Sequence, residues 1–261
     1  MTETDSSLYS FLEKIIPVAG IERIYLLGEQ IISKKNAGIF IRRPYSDQSH
    51  KRYLLLFLVN AQTGEYPESI IESLTGKNSF VMPWIMKLPD FKNDLQNKNH
   101  FVLKVYSAAE LLFNARNESF IVSGEMQEPG IETFTADAWL NRAEEFLAGA
   151  ELYLLRKQIK MSAFCLHQSA EQAYTAIIFR ATGYRPRTHN LLRLHQSAVF
   201  FSPGPDCLFP EGLTGDESLL CRLQKAYTEA RYMDNFHFPA DKLSTLLEKI
   251  RRLIGMAATV F

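Results

Sequence analysis

Apolar side chains recur every third or fourth position from Ala163 through Leu166, Ala170, Ala173, Tyr174, Ile177 and Ile178 to Ala181. This spacing lines one face of an α-helix. The pattern breaks at Thr182-Gly183, where glycine takes the left-handed conformation that closes a helix, and Pro186 cannot resume one until the turn is complete. Thr188 then offers a hydroxyl to the amides of Asn190 and Leu191, which predicts the start of the next helix. The block from Ser162 to Leu194 reads as helix, rigid basic turn, helix, and the rest of the chain is organised around it.

Upstream, Ser6 or Ser7 caps a helix whose apolar face is Leu8, Leu12, Ile15 and Ile16, ended by Pro17 and Gly20. Ile24 to Leu27 and Tyr53 to Val59 read as buried strands. Gly38 to Arg42 is a further strand, ahead of a polar loop with Pro44, Ser46 and Asp47. Pro67 to Leu74 reads as helix, Phe80 to Met86 as extended, Asp90 to Asn97 as helix and Phe101 to Tyr106 as extended. Breakers and acidic residues gather from Gly124 to Asp137, marking a boundary. Beyond it, Thr135 or Asp137 caps a helix that buries Trp139, Ala143, Phe146 or Leu147, Ala150 and Leu154. Asn190 to Val199 is helical, and Phe201 to Gly215, rich in proline and glycine, is a loop. Two more helices present Leu219, Leu220, Leu223, Ala226, Tyr227 and Ala230, then Leu243, Leu246, Leu247, Ile250, and Leu253 or Ile254. Five helices with single apolar stripes predict a bundle. The fold class is therefore α+β, with a mixed α/β domain over residues 1–125 and an all-α bundle over 136–261.

Composition narrows the partners. The chain has 261 residues, 46% of them hydrophobic, enough for two domains with cores of their own. Lys plus Arg equals Asp plus Glu at 29 each, so no net field draws the protein to a polyanion and any such site must be local. The three cysteines, Cys165, Cys207 and Cys221, lack metal spacing and read as reduced thiols of a cytosolic protein. The opening MTETDSS lacks the basic and apolar regions of a signal peptide, and Leu54 to Val59 is too short to span a bilayer. A soluble, cytoplasmic protein without membrane association is expected. No cofactor is called for, and no metal: a zinc site of His167, His189 and His195 would need a fourth ligand and has no zinc-motif spacing.

Arg185, Arg187 and His189 crowd the turn where one helix ends and another begins. Cations and helix amides there would face the same solvent region, a predicted phosphate or anion site. His167 and Glu171 form an i,i+4 pair, read as a structural polar pair inside the bundle. Tyr174, Tyr184 and Tyr227 are core or interface aromatics, although an exposed Tyr184 would be able to stack on a base.

The stretch LHQSAEQAYTAIIFRATGYRPRTHNLLRL, with AYTEARY at Ala226 to Tyr232, closely resembles HEPN domains, nucleotide- and nucleic-acid-associated helical bundles of prokaryotes. The most specific parts are His167-Gln168 with Glu171, the Gly183-Tyr184 turn leading to Thr188-His189, and Ala230-Arg231-Tyr232. The chain is most similar to the subset in which the bundle follows a nucleotidyltransferase-like domain of the polymerase-beta type. That domain cradles a triphosphate with Gly-Ser after the first strand and holds magnesium with two carboxylates on the next. Here Glu29 follows Gly28, Tyr53 to Val59 holds no carboxylate, and Asp47 lies in the loop outside that strand. The N-terminal domain is expected to be degenerate, without transferase activity.

The resemblance also implies a site. HEPN ribonucleases carry an Arg followed after four to six residues by His and cleave RNA without metal, the His moving protons and the Arg stabilising the charged phosphorus centre. Arg231 and His237 have that spacing, with Tyr232 where a polar residue is usual. On one unbroken helix the two would point roughly 240° apart. They converge only if the helix ends near Asp234-Asn235, which Pro239 favours. The expected function is a non-catalytic, nucleotide- or RNA-binding regulatory protein, homodimeric through the bundle, that holds phosphate with Arg185, Arg187, His189 and Arg231. The alternative is a metal-independent ribonuclease of a toxin–antitoxin or stress-response system, with Arg231 and His237 catalytic.

Overall fold

Every residue from Tyr53 to Val59 is buried, because the strand they form lies inside a sheet covered on both faces. The computed structural model describes residues 6–17, 20–33, 49–60, 67–76, 80–117, 119–120, 135–209, 218–233 and 237–259. It divides into two compact units, Met1–Gly130 and Ile131–Phe261.

In the first unit α1 (Ser6–Ile15) leads into β1 (Ile21–Ser33), which pairs antiparallel with β2 (Ser49–Val59) and with β4 (Glu110–Asn114). β2 also pairs in parallel with β3 (Val81–Lys87), so the order is β3-β2-β1-β4. A parallel pair needs a crossover, and α2 (Pro67–Gly76) lies in that connection. Two helices, α3 (Leu88–Gln96) and α4 (His100–Ala108), follow β3. Side chains along β2 alternate between two layers. Tyr53, Leu55, Phe57 and Val59 join Leu8, Phe11, Leu12, Ile15 and Ile71 in one core layer. Across the sheet Tyr25 stacks on Phe91, and Trp84 meets Phe101.

Three features of this unit depart from the sequence pattern. Phe101 to Tyr106 is helical, not extended: Asn99 caps α4 by accepting from the Val102 amide at 3.2 Å, and Phe101, Val102 and Val105 face inward at helical spacing. β4 has only exposed and half-buried side chains, so no clean alternation announces it. β1 runs well past Leu27, with Gly28 inside the strand opposite Leu54 and beside a bulge at Leu27 rather than in a turn. The strand expected at Gly38 to Arg42 and most of the boundary segment Gly124 to Asp137 lie outside the described residues.

The second unit consists of α5 (Asp137–Leu155), α6 (Ile159–Thr182), α7 (Leu191–Phe201), the single-turn α8 (Gly204–Leu208), α9 (Leu219–Tyr232) and α10 (Ala240–Thr259). α6 packs against α5, α7, α9 and α10. From Ser162 to Ile178 only Phe164 and Gln168 are less than fully buried, so the single apolar stripe of the sequence reading is in fact burial all round. Small residues allow this. Ala163, Ser169, Ala170, Ala173 and Ala176 line α6. A Cβ at Gly149 on α5 would already touch Cys165 Sγ at 3.7 Å. The buried hydroxyls are satisfied across the interface, Ser162 donating to Ala150 O at 2.9 Å and Ser169 to Ala143 O at 2.7 Å.

Other expectations shift with this packing. α5 buries Ala143, Leu147 and Ala150 as expected and adds Leu140, while Trp139 and Leu154 at the ends of the expected face are half-buried. Neither Thr135 nor Asp137 caps it; the N-cap is Ala136, without a side-chain bond. Asp137 lies instead 3.7 Å from Arg180 Nη2. The expected loop from Phe201 contains α8, whose first turn Pro205 pre-sets. The thiols of the bundle are free, Cys165 buried, Cys221 half-buried and Cys207 exposed.

The last turn of α10 has no basic residue of its own, and Arg180 supplies the missing donor, reaching Ala257 O at 2.9 Å and Ala258 O at 2.6 Å. Arg180→Ala should therefore cost about 1–3 kcal/mol in urea unfolding. Hydrogen exchange should show lost protection in the final turn of α10 and unchanged protection in the sheet of the first unit.

Candidate functional site

Gly183 ends α6 in the left-handed conformation, φ 71°, with its amide bound to Phe179 O. From Tyr184 to Asn190 the chain is irregular and its exposure alternates. Tyr184 is buried and Pro186, Thr188 and Asn190 are half-buried, while Arg185, Arg187 and His189 are all exposed. Hydroxyls tie both ends of the turn: Thr182 Oγ1 accepts from the Tyr184 amide at 3.0 Å and Thr188 Oγ1 from the Asn190 amide at 3.1 Å. The buried Tyr184 is not available to stack on a base; it anchors the turn.

The next helix starts later than Thr188 implies. Asn190 is its cap, accepting from Leu192 N at 3.1 Å and Arg193 N at 3.3 Å, and Leu191 N binds Gln224 Oε1 on α9. The leading amides of α7 are thus already bonded, which corrects the expectation that open helix amides would face solvent beside Arg185, Arg187 and His189.

Glu171 organises the turn from below. It is 8% exposed. Both its carboxylate oxygens stand 3.0 Å from His189 Nδ1. A carboxylate only accepts, so the proton lies on Nδ1, and the exposed edge of the ring carries Nε2. His189 lies flat on Tyr227 of α9, with centroids 5.0 Å apart and planes at 16°. Tyr227 also stacks with His167 at 4.9 Å and with Phe164 at 6.5 Å.

The expected His167–Glu171 pair is looser, at 3.9 Å, too long for a hydrogen bond. Gln168 Nε2 mediates instead, 3.3 Å from Glu171 Oε2 and 3.3 Å from His167 Nδ1. The carboxylate has turned to the residue that approaches it with both oxygens in reach.

Arg185 lies over the Trp139 ring at 4.9 Å, and Arg142 reaches the same ring at 4.7 Å. Arg187 acts on Tyr184: burial pushes that phenol up to about 12, and the Arg187 charge pulls against the shift. Arg231 falls in the last turn of α9, with its side chain outside the described residues. α9 stops at Tyr232 and Met233 is extended, so the exposed His237 is not on the helix that carries Arg231.

His195 belongs elsewhere. It is buried beside α8, with Nδ1 3.1 Å from the Tyr174 hydroxyl and Nε2 4.0 Å from Asp206. The three histidines weighed as a zinc set therefore do not form one. Among the described residues no group of three His, Cys, Asp or Glu could hold a metal ion. Sequence reasoning named His189 and Glu171 in separate roles and missed their contact; no spacing rule joins residues 18 apart across a turn. It also missed Trp139 and Tyr227 as the rings under Arg185 and His189.

Residues 136–260 match the family model of the HEPN domain. A solved structure, TT1696 from Thermus thermophilus, is 20% identical, over 48% of this chain and 98% of that one, with a TM-score of 0.36. Among curated proteins none matches. No helix among the described residues is long and apolar enough to cross a membrane.

The two buried phenols give a pH test. Burial raises Tyr174 well above the usual tyrosine range and Tyr184 to about 12. Both folded values lie above the unfolded value near 10. Their contribution to stability is therefore full below about pH 10 and lost as pH rises from there, through about 12 for Tyr184. Tyr184→Phe should make the alkaline decline shallower by about 1.4 kcal/mol per pH unit. Denaturant titrations between about pH 9.5 and 11 would read this, and an unchanged slope would show that Tyr184 titrates like a free phenol.

Proposed function

With residues 136–260 a HEPN domain, we propose that the protein is a non-catalytic regulator that binds nucleotide or RNA phosphate along Arg185, Arg187 and His189, together with Arg231. A HEPN domain has a nucleotide- or RNA-related role in general. What supports the finer reading is the alternating exposure of the turn, which leaves Arg185, Arg187 and His189 exposed while Tyr184 is buried. Arg185 and His189 lie over Trp139 and Tyr227, which limits their side-chain freedom before any ligand arrives.

The first unit supports a contribution by packing rather than transfer. A transferase needs a phosphate-cradling turn and paired carboxylates for magnesium. Gly28 lies within a strand, and β2 contains neither Asp nor Glu. We assign residues 1–125 to a degenerate nucleotidyltransferase-like domain and residues 136–261 to the bundle. Labelled ATP with magnesium should yield no nucleotide transfer to protein or RNA.

The bundle also has a candidate surface for a second copy. HEPN domains commonly dimerise. Leu152, Leu155, Met161, Tyr232 and Met233 are all exposed, and Lys160 Nζ bonds to Met233 O, so the start of α6 and the end of α9 lie together. We propose a homodimer through this end. A monomeric mass by sedimentation at micromolar concentration would count against it.

One observation favours the second reading, a metal-independent ribonuclease of a toxin–antitoxin or stress-response system. Because α9 ends at Tyr232, His237 is released from the phase that would turn it away from Arg231.

Anisotropy with a labelled oligoribonucleotide decides between the readings. Arg187→Ala with Arg231→Ala should weaken binding and reduce the salt slope by roughly 1.4, two single-strand phosphate contacts. His237→Ala should leave binding intact. Cleavage by the wild type that disappears in His237→Ala would establish the enzyme reading, and binding unchanged in the double variant would remove the phosphate site.

A further inference from the structure

The Glu171–His189 pair does more than fill a turn. A buried carboxylate fixes Nδ1 of an exposed imidazole with both oxygens at 3.0 Å, and Tyr227 fixes the ring plane. The side chain of His189 is 61% exposed while that of Glu171 is 11% exposed, so the pair joins a buried carboxylate to a solvent-facing ring. In the neutral ring Nε2 holds only a lone pair, which a phosphate oxygen does not bond. Once charged, the ring donates from Nε2 outward while Nδ1 keeps Glu171. The imidazolium then adds a third cation to the exposed Arg185 and Arg187 of the same turn.

We propose that His189 Nε2 is the proton-linked donor of a phosphodiester site, with Glu171 as its positioning residue, so that nucleic acid binds this turn with uptake of one proton from solvent. This rests on the phosphate reading of the Arg185 to His189 edge. The functional partner of Glu171 is accordingly His189, and His167 with Gln168 completes the support beneath it. Among the described residues the titratable groups in contact with the ring are Glu171 of α6 and Tyr227 of α9; His167 stacks on the same Tyr227, and Arg187 stands two positions away in the turn. Glu171 stands at Nδ1, and the bound anion would stand at Nε2. The bound anion tips the balance, which is the thermodynamic content of proton-linked binding.

The probe is a pentauridylate with hydroxyls at both ends, because a phosphodiester lacks the second ionisation near pH 6 of a phosphomonoester. Any pH dependence of its affinity between about pH 5 and 8 then belongs to the protein. Affinity should rise as pH falls, by up to about tenfold per pH unit, the limit for one proton. Calorimetry in buffers of different ionisation enthalpy should find close to one proton taken up per site. His189→Gln, at an exposed position that tolerates the change, should retain weaker binding with a flat pH profile and no uptake. Glu171→Gln should move the profile to lower pH, a displacement that a merely structural role would not produce. Wild-type binding without proton uptake, or uptake that persists in His189→Gln, overturns the assignment while leaving the phosphate reading in place. Absence of binding at every pH overturns both.

Discussion

A helix buried on every side needs partners for its polar residues, and α6 finds them for most; Gln172 Oε1 has no hydrogen-bond partner among the described residues. α6 sets that constraint for the whole bundle. Ser162 and Ser169 bond carbonyls of α5, Tyr174 meets His195 of α7, Thr175 returns to Glu171 O, and Glu171 holds the turn through His189. An unsatisfied group at any of these points would cost about 1–3 kcal/mol. The pairs therefore dock the neighbours of α6 in defined positions, where apolar contact alone would tolerate sliding.

The same constraint shapes the chemistry of the surface. Because a carboxylate inside the bundle needs donors, the turn after α6 is drawn down onto Glu171, and its cationic residues are left facing outward. Asn190 and Gln224 take the first amides of α7, so the exposed groups of the turn are side chains. The sheet of the first unit presents the opposite case. Its strand β2 is buried on both faces from Tyr53 to Val59, with no charged side chain in that stretch.

Local physics made much of this legible from residue order. The three-and-four spacing from Ala163 to Ala181, the stop at Gly183, the run Tyr53 to Val59 and the stripes of the last two helices describe elements whose cause is contained in a few neighbouring residues. The motif resemblance around His167, Gly183 and Arg231 pointed to the HEPN bundle for a similar reason, since a turn with a left-handed glycine needs its residues in order. Where local signals competed, the reading failed. FVLKVY has strand composition but folds as helix under the Asn99 cap, and at the start of α5 Leu140 is buried while the half-buried Trp139 meets Phe179 near the end of α6.

What the sequence by itself determined is most of the long helices and the first three strands, the order of the two units and the basic character of the turn after α6, because periodicity, helix stops and charge are local properties. What only the tertiary structure decided is who partners whom: Glu171 with His189 rather than His167, Tyr227 beneath both histidines, Arg185 over Trp139, Tyr184 turned inward and His195 set apart. Those contacts join residues far apart in the chain. They depend on the distances at which helices pack, which the small residues of α6 set collectively and which no spacing of two residues contains.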